Sequence, residues 1–208
     1  MQRRYDRDGT RKALMEAGAE LFAARGYDGA SVGEIARRAD VNKALISYHF
    51  GGKQALYETI LGETLDDLGA RLAAQRNPRR PAGDQLAGFI AAFAQLAATR
   101  PELPAMILRE VLSGGHHLSE NIMPRFLGVF AHVREIVGQG VREGAFRPVN
   151  PLLTHLGLIG SLVFFHATTP FRERMIREGK LPAAAPSSEE FVRHLQEMTT
   201  RGLDKTQD

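Results

Sequence analysis

Between Val41 and Leu56 the chain reads "VNKALISYHFGGKQAL", a helical pattern with an unusual choice of outward residues. Asn42, Lys43, Ser47, Tyr48 and His49 all carry polar groups able to hydrogen-bond, and no Asp or Glu lies between Asn42 and Phe50. Ordinary surface helices are lined with Glu and Lys. A short helix stripped of carboxylates suits approach to base edges and phosphate oxygens, which carboxylates would repel. Gly51 and Gly52 follow, and Lys53 opens a second helical run.

Other chemistry has weaker support. Cysteine is absent, which excludes disulfides, thiolate catalysis and Cys-based zinc sites. No Glu-x-x-His pair exists to build a di-iron bundle, and no His-Glu-x-x-His zinc helix appears. Gly138-Gln139-Gly140 sits inside a helical pattern with no strand before it, so it is no nucleotide fingerprint. His116 and His117, joined by His155 or His166, are the residues from which an all-α metal-binding enzyme would have to be built. Scattered histidines are more often solvated or hydrogen-bonded, so no catalytic residue, metal or cofactor is assigned. The net charge is +3, with Arg3, Arg4, Arg7, Arg11 and Lys12 set against Asp6 and Asp8 near the start. A strong basic arm would have favoured a non-specific DNA-binding protein; this excess is mild.

The elements that must position these residues are helical throughout, since apolar residues recur with helical period and nowhere alternate over strand length. Leu14, Ala17, Gly18, Leu21 and Phe22 form one stripe from Thr10 to Arg25, and Gly26 is expected to end that helix. Ser31-Val32-Gly33-Glu34 is a capping box opening a short second helix, with Val32, Ile35, Ala36 and Ala39 inward. Asp40-Val41-Asn42 is the turn, and Asn42 caps the third helix. A helix, a tight turn and a second short helix over residues 31–50 make a helix-turn-helix unit, whose second helix enters the DNA major groove. Further helices are read from Lys53 to Ala74, Asp84 to Thr99, Glu102 to Ser113, Pro124 to Gly144, Asn150 to Thr169, and from Ser187 towards Gly202. "NPRRPAG", Asn77 to Gly83, is the clearest break, Pro170 ends or kinks the helix before it, and "LPAAAPSS" is a loop. The chain is expected to be all-α: a head over residues 1–52, then a linking helix and helical bundle over 53–208.

"SVGEIARRADVNKALISYHFGGKQALYETIL", with "RKALMEAGAELFAARGYDGAS" before it, resembles the DNA-binding domain of the TetR family of bacterial transcriptional regulators. The likeness covers residues 10–60; beyond it the chain matches in length, helix content and the "REGAFRPVNP" loop. The resemblance implies that Asn42, Lys43, Ala44, Leu45, Ser47, Tyr48 and His49 touch DNA. It implies phosphate contacts for Ser31 and for Lys53, the latter helped by its helix's N-terminal dipole. The resemblance makes Val32, Ile35, Val41, Ile46 and Phe50 internal packing. Two residues depart from the family pattern. Leu45 replaces a frequent small hydroxyl residue, so an apolar contact to a thymine methyl replaces a polar one. Asp40 replaces a usual glycine, and Asp tolerates a left-handed backbone better than most residues.

The resemblance also implies an effector cavity and a dimer interface in the bundle. Phe89, Phe93, Met106, Met123, Phe126, Phe130, Phe164, Phe165 and His166 are the candidate lining, suited to an apolar or amphipathic small molecule. Arg109, Glu110, His116, His117 and His155 are its candidate polar groups; a plain hydrophobic core is the competing reading of each aromatic. The helices after Asn150 and Ser187 are expected to form a four-helix homodimer interface, with Gly157, Gly160 and Ser161 allowing close approach. The implied function is a repressor released from double-stranded operator DNA by its effector. No apolar core stands at the N-terminus to serve as a signal peptide, and Leu152 to Ala167 falls short of the ~20 residues needed to span a membrane. A cytoplasmic location is the corresponding expectation.

Overall fold

The structure, a computed structural model, describes residues 7–77, 79–181 and 184–205. Arg3, Arg4 and Asp6 of the N-terminal charge cluster, Pro78 of the break and Pro182 and Ala183 of the later loop lie outside them. All named elements among the described residues are α-helices: α1 Arg7–Gly29, α2 Val32–Arg38, α3 Ala44–Phe50, α4 Lys53–Gln75, α5 Ala82–Thr99, α6 Leu103–Leu112, α7 Met123–Arg142, α8 Pro151–Ala167, α9 Thr169–Arg177 and α10 Ser188–Leu203.

Local signals set most boundaries. Gly26 has φ 74° and kinks α1 instead of ending it, and one further turn follows. The last straight turn before that kink exposes carbonyls, and Arg109 of α6 donates to two of them, Ala23 O at 2.8 Å and Ala24 O at 2.7 Å. Both capping boxes form, Ser31 with Glu34 at α2 and Ser187 with Glu190 at α10. Asp40 adopts φ 54°, the left-handed conformation expected of the turn. Asn42 Oδ1 accepts the Ala44 amide at 2.9 Å, so it caps the turn leading into α3 even though the helix proper begins two residues later.

Pro170 does more than end or kink the helix before it. It bends the chain by 49° and then stands within the first turn of a helix of its own, α9, which the sequence reading had not anticipated. Proline fits there because a first-turn N–H needs no helical partner. Arg172 reaches back over the corner, donating to Thr168 Oγ1 at 2.7 Å and Thr169 Oγ1 at 3.0 Å, with its guanidinium 4.2 Å from the Phe165 ring centre.

The helices share one continuous apolar core running from Leu14, Phe22, Ile35 and Ile46 through Leu56, Leu61 and Leu68 to Phe89, Phe93, Val133, Leu162 and Leu195. α4 carries it from the head into the body, packing on α1 and α3 near one end and on α5 and α7 beyond. The break at Asn77 to Gly83 is therefore a turn between packed helices. Gln85 Nε2 and Gln139 Nε2 both donate to Arg80 O there, at 2.8 and 3.2 Å. No single helix among the described residues is long and apolar enough to cross a membrane.

Candidate functional site

α3 is a short helix held by one buried side chain. Ile46 is fully buried, and Val41, Leu45 and Phe50 are half-buried against the same core. That anchorage turns the rest of the helix outward. Asn42, Lys43, Ala44, Ser47 and Tyr48 are exposed, Tyr48 at 64%, and His49 is half-exposed with its ring edge-on to Tyr48 at 5.2 Å. Leu45 packs at the edge of the core, so its side chain is shared between holding α3 and facing outward. No carboxylate lies on this helix, and Gly51, at φ 88°, closes it.

Ser31 and Lys53 flank α3 in sequence and both have partners already. Ser31 Oγ accepts the Glu34 amide at 3.2 Å and donates to Glu34 Oε2 at 2.7 Å. Glu34 is also paired with Arg25 at 2.6 Å, and the Ser31 hydroxyl followed by Arg25 pulls its carboxyl down to about 2. Lys53 Nζ stands 4.1 Å from the ring centre of Tyr27, just past the α1 kink. Tyr27 is the residue that sequence reasoning missed, because nothing in local spacing ties position 27 to position 53.

The candidate effector residues do not come together around one cavity. Phe89, Phe93 and Met106 are about 1% exposed and fill the bundle core. The space touching Phe89 amounts to about 10 Å³, at the threshold for a single water. Met106 also edges a cleft of about 290 Å³ between α1, α4 and the α5–α6 turn. Met123 and Phe164 are exposed, while Phe126 and Phe130 are half-buried. Phe165 stacks on Phe191 at 3.9 Å, and with His166 it edges a space of about 370 Å³ beside Arg172. His166 also borders an open groove of about 590 Å³ between α1, α6 and the α8–α9 corner.

The histidines are likewise dispersed: His117 lies against Glu110, His155 against the Phe130 ring and His166 against Phe165. Burial lowers the pKa of His155 and His166 from the usual imidazole value. Among the described residues no group of three or more His, Asp or Glu is placed to hold a metal.

A three-helix head with an outward, carboxylate-free helix on a helical body defines a helix-turn-helix protein with a bundle attached. Residues 14–60 match the family described as bacterial regulatory proteins, tetR family, and residues 83–199 match a tetracyclin repressor-like C-terminal domain. The chain belongs to the TetR family of transcriptional regulators. It is similar to the probable HTH-type transcriptional regulator YttP of Bacillus subtilis, 33% identical over 152 residues, 71% of this chain and 73% of that protein. The HTH-type transcriptional regulator RutR of Escherichia coli is 25% identical over 141 residues, 68% of this chain, and the match spans 66% of RutR, just under two thirds. Among solved structures, HlyIIR, a hemolysin II transcriptional regulator, superposes with TM-score 0.68 at 23% identity, over 96% of this chain and 99% of that one. A tetR-family regulatory protein from Rhodococcus RHA1 gives 0.76 at 19% identity, over 94% and 97%. At these identities the structural likenesses establish the fold alone. Members of this family are regulators of transcription and not enzymes.

Proposed function

We propose that the chain is a ligand-responsive, sequence-specific DNA-binding regulator, a repressor that leaves its operator when a small apolar or amphipathic effector binds. The observation that carries this reading is α3 itself. Ile46 fastens it to the core, and its outward edge offers Asn42, Lys43, Ser47 and Tyr48 with no acidic residue among them. Such an edge enters a major groove without repulsion and supplies donors for base edges. Ala44, Leu45 and His49 share the surface, while Ser31 and Lys53 flank it as phosphate contacts. Lys53 stands at the N-terminus of the 23-residue α4, where unpaired amides and the helix dipole favour an anion. In this reading residues 1–52 are the DNA-binding head, and residues 53–208 form the linking helix and the regulatory and dimerising bundle.

A homodimer follows from the same logic. Leu153, Leu156 and Phe164 are 56–67% exposed, and with Gly157 and Gly160 they share one face of α8. A shallow groove of about 260 Å³ runs from that face to Leu195 and Met198 on α10. Two copies joined through α8 and α10 would present two α3 helices, and these must sit ~34–36 Å apart to engage successive half-sites.

Selection of bound sequences from random duplexes at one stated salt concentration tests the reading. The expected product is a symmetric site that binds at least ~10³-fold more tightly than random DNA. Lys43→Ala should weaken that binding. Equal affinity for selected and random duplexes would reject sequence-specific recognition.

A further inference from the structure

A polar cluster joins the body to the head at the point where Lys53 emerges. Glu110 of α6 is 2% exposed, the one buried charged side chain among the described residues. Such a carboxylate must be compensated, because an unpaired buried charge is costly. Its compensation comes from two directions. Tyr57 of α4 donates its hydroxyl to Oε2 at 2.8 Å. His117, in the α6–α7 loop, donates its backbone amide to Oε1 at 2.9 Å, and its Nδ1 lies 3.1 Å from Oε2. In the tautomer that carries its proton there, Nδ1 is the donor of this contact. Burial, then the Glu110 bond, push the Tyr57 phenol up, which keeps its donated proton in place.

With His117 held in this way, its other edge and its face turn to the head. Nε2 lies 3.5 Å from Asp28 Oδ2, and the His117 and Tyr27 rings stand 4.3 Å apart. Gln54, next to Lys53, donates to His117 O at 2.8 Å. Tyr27 is also edge-on to Tyr57 at 5.2 Å, and it carries the Lys53 ammonium 4.1 Å from its ring centre. A ring positioned on this side by a histidine and a tyrosine, and bearing a cation, is a platform for that cation. The ammonium has three N–H donors, so contact with the ring leaves donors available for phosphate oxygens.

We propose that Glu110 and His117 are positioning residues for the DNA interface: the body fixes Tyr27 through them, and Tyr27 sets the place of the Lys53 ammonium. The inference rests on the reading of Lys53 as a phosphate contact. It assigns to a buried carboxylate and a loop histidine, both remote in sequence from α3, a share of operator affinity that neither supplies by touching DNA.

The test is a double-mutant cycle on the full chain, titrating the selected duplex at several KCl concentrations. Lys53→Ala in the parent chain should reduce the salt slope by about 1. His117→Ala alone should weaken binding and lower the slope. Adding Lys53→Ala to it should then cost at least about threefold less than it costs the parent, because the ammonium has already lost its place. Glu110→Gln supplies a second cycle: it keeps one acceptor oxygen where the carboxylate offers one each to Tyr57 and to the His117 amide, and it removes the charge opposite Nδ1. Melting curves identify which variants are folded at the assay temperature, and the Glu110→Gln cycle decides the matter if His117→Ala is not. A purely structural role would lower Tm and leave the salt slope alone. Equal costs of Lys53→Ala in all backgrounds would overturn the positioning role by itself. An unchanged slope on Lys53→Ala in the parent would overturn the phosphate contact, and the positioning role with it.

Discussion

Glu34 occupies a position where a charge serves the fold at the edge of the proposed interface. Its carboxylate accepts from the Ser31 hydroxyl, from Arg25 and from the Ser31 amide, and together these hold it down to about 2 against an ordinary value of 4.5. A carboxylate whose folded value is depressed contributes stability that is complete above its unfolded value and is lost as pH falls through the folded one. The difference in Tm between the parent chain and Glu34→Gln should therefore be constant above about pH 5 and close progressively towards about pH 2. A gap that stays open across that window would mean that the difference between the two chains does not come from the ionised carboxylate. The capping role was legible in sequence because Ser31 and Glu34 lie three residues apart. The partnership of Lys53 with Tyr27 was not legible, since it depends on the kink at Gly26 and on α4 packing against α1. The same holds for Glu110 and His117: seven residues apart, they meet because Gly114 and Gly115, both at positive φ, turn the chain back after α6. Met106 and Phe89 could have faced a cavity or a core, and helical spacing alone does not separate the two.

Elements are joined at their ends by contacts that spacing does not announce. The C-terminal turn of α7 is an example. The amides of Ala145 and Phe146 both donate to Gly140 O, at 2.9 and 3.0 Å, which folds the Phe146 ring back against the helix. A Cβ at Gly140 would overlap that ring. Phe146 and Arg147 in turn tie this loop to the end of α10, through a bridge to Asp204 and an Arg147 amide bond to Leu203 O at 2.9 Å. Gly140→Ala should consequently destabilise by roughly 1–3 kcal/mol, the usual cost of overpacking. Thermal melting would register this as a fall of about 2–4 °C per kcal/mol in a chain of this size. An unchanged Tm would show that Phe146 moves aside freely. The Gly140 contact was invisible in sequence, where "GQG" read only as two glycines in a helix. Pro170 was visible but ambiguous: the residue that stops one helix is also well suited to begin the next, and the structure uses it for both.

For the molecule as a whole, the apolar face of α8 stands exposed within one chain. Leucine or phenylalanine side chains gain about 1.5–3 kcal/mol each when fully covered, so Leu153, Leu156 and Phe164 together favour association strongly. Leu156→Glu should shift the chain to monomer in sedimentation experiments while leaving its Tm nearly unchanged in dilute solution. On the proposed reading operator affinity should fall with it, because a single α3 would engage one half-site. A variant that remains dimeric would place the interface elsewhere. The all-α class and the helices other than α9 were readable from periodicity and caps, whereas the state of the body's interior was not. For the effector proposed above, an interior closed around Phe89 and Phe93 has a kinetic consequence. Such a guest could not slip in there; it would wait for the helices to breathe apart. Its apparent affinity is then the intrinsic one scaled down by the fraction of time spent open, and its arrival should quicken steeply on warming.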